Sequence, residues 1–340
     1  MDSGPIAERV PRVNAIDVAR TIALIAMAIY HFSWDLAIFG YAAIDLPQRP
    51  GMIVFARMIA GSFIFLAGIS LVLAHGEGIR WPSYRKRLLQ IIVAAVLVTI
   101  ATLIAFPETF IFFGILHLIA LASLLGLAFL HLNALLTVSV AVFFLALPHF
   151  FRSEFFSAGP LLWLGLAETP RVSNDYVPLF PWFGVFLFGM AFGRIGRDRG
   201  WFRRFSETTF DRSLPNWLAV PGRHSLIVYL IHQPVLLALV WLAATLVPPG
   251  ISIADVRAPC ERSCLAQSED AAFCTRYCGC ILSAMDEEDL LYRGASLDSL
   301  TDEQLQMVDQ QRNQCMREVD TELYGSPSGA DDTQEEDSTR

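Results

Sequence analysis

Charge is scarce in this 340-residue sequence: 17% of the residues are Asp, Glu, Lys or Arg, while 54% are hydrophobic. With a mean hydropathy of +0.47, the chain belongs among polytopic membrane proteins rather than soluble domains. Cysteine is missing until position 260, and all six cysteines lie between there and 315. A Walker-type loop, the His-x3-His spacing of a metal site and the glycine-flanked serine of soluble hydrolases are all lacking. A P-loop nucleotide site, a His-x3-His metal site and soluble serine-hydrolase chemistry are therefore not expected. Nor is a cleavable signal peptide expected, because the first apolar run carries Asp17 and Arg20 and has no small-residue cleavage site. No internal repeat is visible, and the basic residues gather at membrane edges, which gives no case for nucleic acid.

Long apolar runs are what the chain has in plenty. Seven are long enough to cross a bilayer, at 14–34, 51–74, 88–106, 110–130, 132–151, 178–196 and 222–247. The apolar run 155–166 is broken by Gly159-Pro160 and reads as an interfacial piece. Basic residues fix the orientation. Arg9, Arg12 and Arg20 flank the first segment, Arg80 and Arg85–Arg87 follow the second, and six arginines from Arg194 to Arg212 lie between the sixth and seventh. Alternation puts these clusters on one side, the cytoplasm. The amino terminus is then inside and, after about seven crossings, the carboxy terminus outside.

Charge divides the chain in two. Up to Ile253 there are 18 Lys+Arg against 13 Asp+Glu, and from Ala254 onward 7 against 20. The acidic part holds every cysteine, spaced Cys260-x3-Cys264-x9-Cys274-x3-Cys278-x-Cys280, then Cys315. Disulfides persist in oxidising compartments such as the periplasm, which agrees with an exported tail. Each Cys-x3-Cys pair shares a helix face. A helical hairpin would nest Cys260–Cys278 around Cys264–Cys274, and Cys280–Cys315 would fasten a third helix that starts at a Thr301-x-x-Gln304 capping box. Other pairings, and a zinc site, fit the same spacing. The stretch 325–340 is acidic, rich in Ser and Gly, and expected to be disordered.

The first segment concentrates the ionisable groups. Asp17 and Arg20 are three residues apart and His31 and Asp35 four, so each couple shares a helical face. His31 lies roughly 21 Å along the axis from Asp17, most of the way across a ~30 Å hydrocarbon layer. Ionisable groups in a span are costly unless they face the protein interior or water. The pattern Arg12-x4-Asp17-x2-Arg20-x10-His31, with Ala23 and Met27 between, resembles the first helix of membrane-bound acyltransferases. It is most similar to the bacterial branch of the heparan-α-glucosaminide N-acetyltransferase catalytic domain. The run His31-Phe32-Ser33-Trp34-Asp35 resembles the His-x-Ser-Trp-Asn around that family's active histidine, with Asp in place of Asn. The resemblance covers roughly residues 9 to 247. It implies acyl transfer from cytoplasmic acetyl-CoA to a sugar amine or hydroxyl on an envelope glycan.

His31 can serve such a transfer as base or as acyl carrier, with Asp35 fixing its tautomer. The alternative is a polar helix–helix contact, with Trp34 an interfacial belt residue. Arg57, six residues into the second span, is expected near the level of His31, orienting substrate, pairing structurally with Asp35 or snorkelling to the outer interface. His117 in Gly-Ile-Leu-His and His232-Gln233 in Tyr-Leu-Ile-His-Gln-Pro also resemble the family, and are expected to line a shared polar cavity or to pack as satisfied histidines. Arg12, Asp17, Arg20 and Arg223 are the candidates for holding the acyl donor, although the positive-inside rule explains such arginines too. Gly184, Gly189 and Gly193 read as close helix packing.

The expected fold class is therefore all-α. A cytoplasmic amino terminus (1–13) precedes a polytopic helix bundle of about seven spans (14–248), followed by a small disulfide-linked helical module (254–322). The expected partners are membrane lipid, an envelope glycan acceptor and a periplasmic protein docking on the module. No metal is expected. Two other readings compete with the enzyme. Intramembrane His, Asp and Arg also suit a proton- or anion-coupled transporter, and an exported module suits an envelope interaction protein anchored by its bundle.

Overall fold

The structure, a computed structural model, describes residues 13–43, 45–208, 215–247, 253–268, 270–288 and 301–325. Arg12 and nearly all of the acidic end expected to be disordered lie outside these residues. No strand occurs among the described residues, and the chain is an all-α multi-pass membrane protein. Five helices are long and apolar enough to cross: α1 (Asn14–Ile38), α2 (Pro50–His75), α3 (Trp81–Ala105), α6 (Leu179–Asp198) and α9 (Ser225–Leu246). Two more apolar helices are shorter: α4 (Ile115–Gly126), extended by a 3-10 turn at Leu127–Phe129, and α5 (Ala134–Phe150).

Local sequence sets the ends of these helices. α2 opens on Pro50, whose missing N–H costs nothing in a first turn. α5 opens after Asn133, whose side-chain oxygen accepts the Leu136 N–H at 2.7 Å. α3 starts seven residues before the expected 88, with Trp81-Pro82 as its first turn, so Tyr84 and Arg85–Arg87 are helical. The broken run 155–166 forms two 3-10 turns, Glu154–Ser157 and Gly159–Leu164. Beyond α6, the short α7 (Trp201–Ser206) and α8 (Asn216–Arg223) precede α9, with a break at His224.

By its contacts the chain forms two compact units. In the first, which takes in the described residues up to His31 and Pro50–Leu236, α2, α5 and α6 pack backbone to backbone. A side-chain carbon added at Gly68 would lie 2.2 Å from the Phe186 carbonyl oxygen, and one at Gly189 would lie 2.1 Å from that of Phe65. Gly184 meets the Ala141 carbonyl of α5 in the same way. Small residues thus let these helices approach without any hydrophobic drive between them. Ile64, Leu118, Phe183, Phe186 and Leu187 fill the core they enclose. α1 and α9 join through side chains, where Leu24 and Met27 meet Ile59 and Phe63 of α2 and Val228 and Tyr229 of α9.

The second unit comprises Phe32–Arg49 and the described residues from Leu237 on. Its helices α10 (Ile253–Leu265), α11 (Ala271–Glu287) and α12 (Asp302–Tyr324) are joined by Cys260–Cys278, Cys264–Cys274 and Cys280–Cys315, the pairing that the spacing favoured. Asp270 caps α11 by accepting the Ala272 and Phe273 N–H groups, and Thr301 and Gln304 form the expected capping box on α12. The apolar interior is small, centred on Ile281, Leu282 and Cys315, and covalent links supplement it.

Candidate active site

Asp17, near the start of α1, is the hub of one polar cluster. Its carboxylate is buried and accepts hydrogen bonds from Arg20 Nη1 at 3.2 Å and Arg223 Nε at 3.4 Å. Arg223 also donates to Asn14 Oδ1 at 3.0 Å, and Arg20 donates to Ser70 Oγ of α2. α8 can reach α1 because residue 222 is glycine. A side-chain carbon there would sit 1.9 Å from the Asp17 carbonyl oxygen, while the Gly222 N–H donates to Thr21 Oγ1 at 2.9 Å. One buried carboxylate thus holds two guanidinium groups, which leaves a net positive charge at this end of the bundle.

Beside the cluster is a cavity of about 240 Å³ between α1, α2, α3, α4 and the start of α9. Its polar wall is formed by Arg20, Ser70, His75, Tyr84, Arg87 and Ser123. The buried His75 accepts the Arg80 N–H on Nδ1 at 3.2 Å, so in the neutral ring Nε2 carries the proton. Tyr84 stands edge-on to it at 5.5 Å and donates to the Ser123 carbonyl at 3.2 Å. Further down α2 the wall turns apolar, with Leu66, Ala67 and Phe63. Two guanidinium groups, hydroxyls and an imidazole above an apolar floor suit a ligand with an anionic head and an uncharged tip.

The second cluster lies toward the other end of α1. The imidazoles of His31 and His232 meet edge to face, 5.0 Å between centroids, with Tyr30 at 5.5 Å from His31 and Tyr229 at 5.7 Å from His232. His232 Nδ1 is 2.6 Å from the Tyr229 carbonyl oxygen. A carbonyl only accepts, so Nδ1 carries the proton and Nε2 presents its lone pair in the neutral ring. That Nε2 is buried with no hydrogen-bond partner among the described residues. A basic nitrogen beside a second imidazole is the arrangement a proton transfer requires.

One family profile, described as "Heparan-alpha-glucosaminide N-acetyltransferase, catalytic", matches residues 12–234, well over half the chain. The chain belongs to that family. No curated protein and no solved structure gives a significant match. Membership implies that this chain is a membrane acetyltransferase, in a family whose donor is acetyl-CoA. The matched stretch takes in both polar clusters and the cavity and ends before α10.

In this member of the heparan-alpha-glucosaminide N-acetyltransferase family, the other expected site residues are placed unequally. Asp35 is fully buried, and Trp34 and Gln233 are half-buried. Arg57 is set apart from the histidine pair. Phe55 and Ile59 face α1, and at 100° per residue the arginine midway between them points the opposite way, where it is exposed. His117 is occupied by the start of α4, accepting the Gly114 N–H on Nδ1 at 3.2 Å and donating from Nε2 to Thr99 Oγ1 at 3.2 Å. Arg194, among the expected cluster, serves the chain itself by donating to the Leu130 and Leu132 carbonyls.

Sequence reasoning missed the cavity wall and one carboxylate. Tyr84 has no signal in the sequence, and Arg87 reads there only as one of a basic cluster in a loop, whereas both lie in the first two turns of α3. Asp175, in the loop before α6, accepts the Ile115 N–H at 2.9 Å. Burial pushes its pKa up to about 6, against the opposing pull of the Ile115 N–H. The one signal for it was the bare Gly114, where a side-chain carbon would lie 2.3 Å from Asp175 Oδ2.

Proposed function

We propose that this protein moves an acetyl group from cytoplasmic acetyl-CoA to an amine or hydroxyl of a sugar on the opposite face of the membrane, with His31 at the point of transfer. The observation that carries the reading is the contact between His31 and His232, whose Nε2 is buried with no hydrogen-bond partner among the described residues. As the acceptor's nitrogen or oxygen attacks the thioester carbon, an imidazole takes its proton. The carbon–sulfur bond then breaks and the imidazolium protonates the leaving thiolate. His232 Nε2 is the group at hand to share that proton. Alternatively, His31 attacks first and carries the acetyl group to the acceptor.

The positive charge around Arg20 and Arg223 and the cavity beside it support a donor approaching from the arginine-rich end. That end is cytoplasmic if the basic loops obey the positive-inside rule, which puts the histidine pair toward the acceptor and the disulfide module in the periplasm of a bacterial inner membrane. The envelope glycan, the surrounding lipid and a periplasmic protein on the module belong to the same proposal. Purified protein is incubated with labelled acetyl-CoA, with and without envelope glycan. Label on His31 or on the glycan, with release of free thiol, is expected. His31→Ala should lower transfer by about 10²- to 10⁴-fold while the protein stays folded, and wild-type transfer by that variant would remove His31 from the mechanism. Transport of a solute without thiol release would favour the transporter.

A further inference from the structure

Among the described residues, the lining of the cavity does not reach the histidine pair. The deepest lining residue on α2 is Phe63, twelve residues from His75 and so ~18 Å along the helix. One side of Phe63 lines the cavity, and it also packs against the cluster of Leu24, Met27 and Ile59. That cluster includes Tyr30 and Tyr229, the aromatic neighbours of His31 and His232. On α1 the stretch from Arg20 at the cavity to His31 spans about 16 Å, and Ala23, Leu24 and Met27 within it are all buried. The cavity therefore ends on an aromatic ring, with packed apolar side chains between it and the imidazoles.

We infer that Phe63 closes the floor of the donor cavity and sets the size of acyl group the protein accepts. This rests on reading the cavity as the acyl donor's. A donor whose phosphates meet Arg20 and Arg87 points its uncharged end down the apolar wall, past Leu66 and Ala67, onto the Phe63 ring. For the thioester carbon to reach His31 the Phe63 ring has to turn aside, and each further methylene must also pass the Leu24–Met27–Ile59 packing behind it. Phe63 is thus a specificity-determining residue, with no part in the proton chemistry.

Two measurements on the purified full-length protein test this. The first compares acetyl-, butyryl- and hexanoyl-CoA by free-thiol release in the wild type, Phe63→Leu and Phe63→Ala. The ratio of kcat/KM for the longer chains to that for acetyl should rise by about tenfold or more in Phe63→Ala, with Phe63→Leu between. A ratio unchanged within about twofold overturns the inference. The second measurement does not depend on activity. The first unit has no cysteine, and the described cysteines are all in disulfides, so a single introduced thiol reports access. Ala67→Cys, in the cavity, should react with a polar thiol reagent, and Met27→Cys should not until combined with Phe63→Ala or Phe63→Leu. Reaction of Met27→Cys with Phe63 in place, or silence in both combinations, overturns the inference. If no thioester is consumed by any variant, the proposed acyl transfer fails, and thiol access alone decides whether Phe63 closes the floor.

Discussion

Two sets of helices in the membrane unit are assembled on different terms. α2, α5 and α6 touch backbone to backbone through Gly68, Gly184 and Gly189, where a single added carbon would strike a carbonyl oxygen. α1 and α9 are held by the side chains of Leu24, Met27, Val228 and Tyr229, and by the ion pairs of Asp17. The imidazoles assigned to proton transfer, His31 and His232, and the Asp17–Arg20 pair are on the second set. The difference teaches how a membrane protein of low charge hosts polar residues. Helices seated on one another by small residues form a fixed frame, and the helices carrying charge are fastened to it by contacts that can exchange.

The comparison can be broken first at the frame. Gly189→Leu should remove the folded protein altogether, read as loss of the monodisperse peak in size exclusion, because its side chain would occupy the position of the Phe65 carbonyl. The fastening of α1 comes next. Asp17→Asn leaves Arg20 and Arg223 without their shared carboxylate and should cost about 3–5 kcal/mol in unfolding free energy. Its readout is the denaturant midpoint in detergent, and an unchanged midpoint would mean that the ion pairs do not hold α1 in place. His232→Ala should leave that midpoint near wild type and lower acetyl transfer by about 10²-fold, separating chemistry from architecture on the same pair of helices.

The smallest effect is a pH slope. The Asp175 carboxyl has its pKa raised from 3.8 to about 6 in the folded state. Between those values the folded protein keeps a proton that the unfolded chain gives up, so stability falls as pH rises through this window and is level above it. Asp175→Asn keeps an acceptor for the Ile115 N–H and should flatten the slope in melting temperatures taken from pH 4 to pH 7. A slope that persists would assign it to another group.

Much of this organisation is legible in one dimension. Hydropathy finds the apolar helices because a bilayer demands about twenty apolar residues in a row. The i, i+3 spacing of Asp17 and Arg20 announces their pair, and the nested cysteines announce α10 and α11. Two things escape. The start of α3 is hidden by Arg85, Lys86 and Arg87, which lower hydropathy while a Trp-Pro first turn has already begun the helix, and the polar wall of the cavity is hidden with it. Residue number alone gives Arg57 its depth along α2, but the direction its side chain faces depends on which neighbours the helix packs against. His117 illustrates the same limit, since only the fold shows that Gly114 and Thr99 occupy both of its ring nitrogens.

The cysteine-free membrane unit has a chemical consequence. Enzymes that handle thioesters often pass the acyl group to a protein sulfur, an exchange nearly neutral in energy. No residue before Cys260 offers a sulfhydryl, so transthioesterification is closed to this bundle. Any covalent acyl adduct formed within it is an acyl-imidazole, an amide, an oxygen ester or a mixed anhydride on a carboxylate, and those linkages differ in their lability to hydroxylamine and alkali.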